Sequence, residues 1–128
     1  MTHRFQTRVW YEDTDLGGIV YHANYLKFIE RARSEWVEAL GIDQNAMRKA
    51  GQIFAVTRVE ADFLRPAKLG DRLDVETDLA NLGPARLVLN QRVMLENTLL
   101  FRATVTLACL DGARPVRLPD PLRQALAR

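Results

Sequence analysis

Tyr11-Glu12-Asp13-Thr14-Asp15-Leu16-Gly17-Gly18-Ile19-Val20-Tyr21-His22-Ala23-Asn24-Tyr25 holds the densest set of functional side chains in the 128-residue chain. Two adjacent glycines permit backbone that other residues cannot adopt, and they let a ligand come close. A helical pattern begins just beyond. Helix N-termini present free N–H groups and a partial positive charge, suited to a carbonyl oxygen that becomes an oxyanion. A carboxylate a few residues upstream is then placed to work on the carbon of that carbonyl. A carboxylate base or nucleophile with backbone donors suits acyl transfer. Each residue also has a plainer reading. An Asp before a Gly-Gly turn is often a loop-stabilising Asx residue. Asp13 reads as a structural hydrogen bond in the loop. His22 alone reads as a satisfied or surface histidine, and Tyr21 and Tyr25 as core or pocket wall. Cys109, in an apolar strand, reads as a small buried hydrophobe.

The elements that must position these residues follow from periodicity. Arg4 to Tyr11 mixes Phe5, Val9, Trp10 and Tyr11 with polar residues and predicts a strand. Glu12 to Gly18 is turn-forming, and Ile19-Val20-Tyr21 is a short apolar step. From Asn24 to Leu40, apolar residues recur at spacings of three and four, which predicts one amphipathic helix. Glu30 and Glu38 fall on its solvent side. Asn24 is the expected N-cap and Gly41 the left-handed C′ residue. A short second helix is expected over Gln44 to Ala50. From Ile53 to Leu110 the chain reads as strands, with Gly83-Pro84 and Glu96-Asn97 as turns in an antiparallel meander. The run Leu99 to Leu110 is apolar almost throughout and is expected to be covered on both faces. The tail carries Pro115, Pro119 and Pro121, then a last helical turn. One helix and about five strands predict an α+β fold, a five-stranded antiparallel sheet curled around one long central helix. The sheet's uncovered face and edges then call for a second copy of the chain.

Composition bounds the remaining classes. Area scaling gives a folded surface of roughly 7,000 Å² against roughly 21,000 Å² unfolded, so one domain over residues 1–128 can bury a real core. With 48% hydrophobic and 27% charged residues, disorder and collagen-like structure are excluded. No apolar run approaches the ~20 residues of a membrane span. A single cysteine excludes an intrachain disulfide and argues against a Cys-based zinc site. The N-terminus has no apolar signal-like region, and a cytoplasmic location is expected. The net charge is +2, and 15 of the 18 basic residues are Arg. Arg suits bidentate phosphate or carboxylate contacts, although GC-rich codons also favour it. The tail from Gly112 to Arg128 has a local excess of +3, from four Arg and one Asp. One such excess on a near-neutral chain does not argue for nucleic-acid binding.

The stretch from Tyr11 to Tyr25 resembles the signature of the hotdog-fold 4-hydroxybenzoyl-CoA thioesterase family. Within it, the chain is similar to the Tol–Pal-associated acyl-CoA thioesterases of Gram-negative bacteria. The likeness extends through Phe28-Ile-Glu-Arg-Ala-Arg33, Phe63-Leu-Arg-Pro-Ala67, Gly70-Asp71, Glu96-Asn-Thr-Leu-Leu100 and Arg117-Leu-Pro119. The resemblance implies a hotdog fold and hydrolysis of an acyl-CoA to free acid and CoA. It makes Asp15 the catalytic carboxylate. It makes the His22 backbone N–H the group that polarises the thioester carbonyl, with a suspected further role for the imidazole. Gly18, Val20, Tyr21 and Tyr25 are then expected at the substrate. Arg86 and Arg117, with Arg114, are candidates for the CoA phosphates. No metal and no bound cofactor are implied, since CoA is part of the substrate. Acyl carrier protein is a further candidate partner, and a homo-oligomer, dimer or tetramer, is expected. Asp15 either attacks the thioester carbon or deprotonates a water; an ordinary carboxylate, ionised at pH 7, serves either route. Two other readings compete: an acyl-thioester hydratase or dehydratase, which would typically pair a loop His with a helix acid, and a non-catalytic acyl-CoA or carrier-protein binder or cell-envelope accessory protein.

Overall fold

The computed structural model describes residues 2–127. Their order is β1 (His3–Arg8), a 3-10 turn (Tyr11–Asp13), α1 (Asn24–Ala39), α2 (Gln44–Lys49), β2 (Gln52–Phe63), β3 (Arg72–Leu82), β4 (Arg86–Leu95), β5 (Thr98–Asp111), β6 (Arg114–Pro115) and α3 (Asp120–Leu126). The strands pair antiparallel in the order β1-β3-β4-β5-β2, with the two-residue β6 on β5.

Alternation drives the central strands. Leu73 and Val75 of β3, Leu87, Leu89 and Val93 of β4, and Phe101, Ala103, Val105, Leu107 and Cys109 of β5 are all buried on the face that meets the helix. The stripe of α1 completes the core with Tyr25, Phe28, Ile29, Ala32, Trp36 and Val37. A buried amide tethers the two layers. Gln91 Nε2 donates to the Ile29 carbonyl at 2.9 Å and to Thr77 Oγ1 at 3.0 Å, and Gln91 Oε1 accepts from Arg33 Nη1 at 3.0 Å. With every polar atom of the amide engaged, its burial carries no unpaired group. α1 ends where expected, with Gly41 at φ 86°.

The structure corrects the sequence reading in several places. The first strand stops at Arg8 and not at Tyr11, because the Asp13 carboxylate takes the Trp10 N–H at 2.8 Å and closes the chain into a turn. Asn24 is the first helical residue and not the N-cap. Ala23 holds the cap position without a side-chain bond, and the Asn24 amide is engaged elsewhere. The C-terminal turn is a two-turn helix, α3, seated by buried Leu122 and by Arg123 Nη1 donating to the Gly83 carbonyl at 2.7 Å.

β5 is not covered on both faces along its length. Leu100 and Ala108 are buried, but Arg102 between them is exposed, and Thr104 and Thr106 are half-buried. The outer face there is charged. Register places Arg4, Glu76, Arg92, Arg102 and Asp62 in one row across five strands. Ion pairs stitch that row: Arg4–Glu76 at 3.0 Å, Arg92–Glu76 at 3.1 Å and Arg102–Asp62 at 3.0 Å. The uncovered apolar surface lies instead on the inner side. α1 packs over β3, β1 and β4, while Val56, Val59 and Phe63 of the edge strand β2 stay exposed beside it.

Candidate active site

The site begins with a hairpin. Tyr21 N–H bonds the Asp13 carbonyl at 3.0 Å, Thr14 bridges Val20, and Asp15 N–H bonds the Ile19 carbonyl at 2.9 Å. Asp15-Leu16-Gly17-Gly18 is the turn, closed by Gly18 N–H on the Asp15 carbonyl at 3.1 Å. Asp is favoured at the first position of such a turn, where its side chain caps the backbone two residues on. Asp15 Oδ1 does so, accepting the Gly17 N–H at 2.8 Å. Asp15 Oδ2 has no partner among the described residues, and the side chain is exposed. The two glycines serve different ends. Gly18 has φ 79°, in the left-handed region, while a Cβ at Gly17 would lie 3.2 Å from Asp15 Oδ1.

The returning strand leads straight into α1. Val20 is 3% exposed and Tyr25 4%, whereas Tyr21 and His22 are exposed. Asn24 N–H bonds the Tyr21 carbonyl at 2.8 Å, but the His22 N–H has no partner among the described residues. A free donor therefore stands at the start of the long helix, where its dipole adds partial positive charge. Asp13 fixes this junction. Buried to 3% exposure, it accepts the Trp10 N–H through Oδ2 and the Asn24 Nδ2 at 2.6 Å through Oδ1.

A cleft of about 290 Å³ opens beside the helix start, lined mainly by Ile19, Val20, His22, Tyr25, Phe63 and Arg65. Its floor is an aromatic cluster. Tyr25 stacks on Phe101 at 4.9 Å with rings 11° apart, and Phe63 meets Tyr25 edge-on at 5.8 Å. The His22 ring lies 4.5 Å from Tyr21 and 6.3 Å from Phe63. Burial pushes the Tyr25 phenol above its ordinary range, so it stays protonated and neutral. Among the described residues no cluster of His, Cys, Asp or Glu could hold a metal ion. Burial alone also raises the Cys109 thiol, away from a reactive thiolate.

Of the residues expected from sequence, Val20, His22 and Tyr25 line the cleft, while Asp15, Gly18 and Tyr21 lie on the same hairpin and helix start outside its lining. The structure does not bring Arg86 and Arg117 there within one chain. Arg86 pairs with Ala108 at one end of β4 and β5, while Phe101, stacked behind the cleft's Tyr25, pairs with Val93 toward the other. Seven residues of strand at about 3.4 Å each separate those rungs. Arg117 lies 3.8 Å from Asp120 near the same far end. Phe63 and Arg65 were not assigned to the site from sequence, although the run Phe63-Leu-Arg-Pro-Ala67 carries part of the resemblance.

Residues 9–126 match the family model of the thioesterase-like superfamily. The chain belongs to that superfamily, and its curled antiparallel sheet with one long helix is the hotdog fold. The acyl-CoA thioesterase YbgC of Haemophilus influenzae is 41% identical to it over 124 residues, 94% of this chain and 91% of that protein. The acyl-CoA thioester hydrolase YbgC of Escherichia coli O6:H1 is 40% identical over 122 residues, 93% of this chain and 91% of that one. Among solved structures, a probable thioesterase from Bartonella henselae superposes with a TM-score of 0.89 at 35% identity, covering 93% of this chain and 100% of that. A 1,4-dihydroxy-2-naphthoyl-CoA thioesterase from Synechocystis reaches 0.91 at 23% identity, over 99% and 96% of the two chains, and shares the fold.

Proposed function

We propose that this chain is an acyl-CoA thioesterase in which Asp15 and the His22 backbone N–H act on one thioester carbonyl. The observation that carries the reading is the hairpin itself. It holds one oxygen of Asp15 through Gly17, leaves the other open, and delivers an unpaired His22 N–H at the head of α1. In the general-base route, Asp15 takes a proton from water and the new oxygen–carbon bond forms at the carbonyl. The His22 N–H stabilises the negative charge on the carbonyl oxygen. The C–S bond then breaks, and CoA leaves as a thiolate that takes up a proton. In the nucleophilic route, an Asp15 oxygen attacks the carbonyl carbon, the C–S bond breaks and CoA leaves as a thiolate that takes up a proton, and water then opens the resulting mixed anhydride to free acid and Asp15. Gly18, Val20, Tyr21 and Tyr25 contact the acyl thioester arm. Identity of about 40% to curated acyl-CoA thioester hydrolases supports the reaction class.

Residues 1–128 act as one thioesterase domain in this reading. Placement among the 4-hydroxybenzoyl-CoA thioesterases, a Tol–Pal-associated role, a cytoplasmic location and acyl carrier protein as a second acyl donor rest on the sequence resemblance. A homo-oligomer, dimer or tetramer, completes the site, and Arg86 and Arg117 reach CoA phosphates only from a neighbouring copy. The decisive experiment incubates the protein with a panel of acyl-CoA esters and follows free thiol, with Asp15→Asn in parallel. The substitution keeps the shape and removes both base and nucleophile. It is expected to lower turnover at least ~10²-fold with the fold intact. Near-normal turnover by folded Asp15→Asn would sink the assignment.

A further inference from the structure

Tyr25 does more than line the cleft. Its hydroxyl accepts the N–H of Ala67 at 3.1 Å, and the carbonyl of that residue accepts the Val20 N–H at 2.9 Å. Ala67 is fully buried. One residue therefore ties the first turn of α1 to the returning strand of the hairpin. The neighbouring residues add to the link, since Ile19 bridges Lys68. The covalent path from Val20 through His22 to Tyr25 closes the circuit into a ring. The phenol oxygen at its corner is well fixed. The Tyr25 ring is stacked on Phe101 and held edge-on by Phe28 and Phe63.

We propose that Tyr25 is a positioning residue, whose hydroxyl fixes Ala67 and through it the hairpin that presents Asp15 and the His22 N–H. The proposal rests on the catalytic reading of those two groups. Without the hydroxyl, residues 64–69 and the hairpin can shift together against α1, while the aromatic floor stays packed. A buried N–H left unpaired adds a reason for the segment to move. Reacting groups are sensitive to such shifts: a displacement of about 1 Å can lower a rate ~10²-fold.

The test is Tyr25→Phe, which keeps the ring and removes only the oxygen. Two readouts separate this idea from the reaction assignment. Amide hydrogen exchange at Val20, whose own bond to Ala67 is untouched, should quicken by about tenfold. With the acyl-CoA ester that the wild type turns over fastest, kcat should fall roughly 10- to 100-fold while KM stays within about twofold. Unchanged exchange at Val20 overturns the tether. A raised KM with unchanged kcat overturns it too, because Tyr25 would then be wall alone. A Tyr25→Phe chain that does not fold also overturns it, since the hydroxyl would be holding the fold. If Asp15→Asn stays active, the catalytic reading fails, yet Val20 exchange still decides whether the tether exists.

Discussion

At the level of single residues, the proposed mechanism divides its labour between backbone and side chain. If the His22 contribution is mainly its N–H, His22→Ala keeps the donor and should reduce turnover less than Asp15→Asn. Steady-state kinetics of the two folded variants check this ranking, and equal inactivity would make the imidazole an essential acid–base group. Gly17 offers a sharper probe. An added Cβ meets Asp15 Oδ1 at 3.2 Å, so Gly17→Ala must push the carboxylate by a few tenths of an ångström. A loss of about tenfold in kcat with an unchanged melting temperature is expected. Full activity would show that Asp15 tolerates displacement. The turn-forming stretch Glu12–Gly18 and the helix start beyond it were legible in the sequence, but the hairpin pairing that joins them was not. The opposite wall was not, because Phe63 and Arg65 reach the cleft only through the pairing of β2 with β5. Nor does spacing reveal that the cleft lies at the other end of the strand that Arg86 begins.

The elements are held by a few polar contacts that pattern reading misses. Asn24 looked like a cap because of its type and place. In the fold it donates to buried Asp13, which orients the whole turn before α1. Asn24→Ala should therefore cost about 1–3 kcal/mol in chemical unfolding, as a buried carboxylate loses a partner. A loss within about 0.5 kcal/mol, as for an exposed substitution, would show that Asp13 does not depend on it. The outer face makes a pH prediction. The Arg4 bond, then Arg92, holds Glu76 below the usual carboxylate range, and the Thr2 hydroxyl, then Arg92, does the same for Asp78. A depressed carboxylate adds stability above its unfolded value, about 4, and loses it as pH falls through the folded value. Arg92→Met should be less stable than wild type at pH 7, and the gap should close as pH drops below the carboxylate range. A gap independent of pH in urea titrations would assign the loss to packing. Strand alternation and the long helix were legible because burial imposes them directly. The polar row hid because an arginine facing outward looks the same whether it is paired or free.

On the scale of the whole molecule, the surface argues for a second copy. The chain exposes 7,994 Å², about 1,000 Å² more than the roughly 7,000 Å² expected for a folded monomer of 14.6 kDa. A standard interface removes about 800 Å² from each partner. The sequence reading left one sheet face and the sheet edges to be covered. The outer face carries the ion-paired row, whereas β2 is an edge whose twelve residues pair on one side only among the described residues. Val56 at 46%, Val59 at 39% and Phe63 at 54% exposure face inward there, and Leu26 of α1 is 43% exposed beside them. An unprotected edge with apolar inner residues is a template for pairing with another chain. Phe63 also lines the cleft, so a partner seated on β2 would help wall the active site. Light scattering at active concentrations should give a mass of at least twice 14.6 kDa, and dilution should remove activity together with the oligomer. Val59→Arg, which places a charge in the middle of the bare stripe, should shift the protein to monomer and abolish turnover. A stable, fully active species of 14.6 kDa would refute both the oligomer and the shared wall.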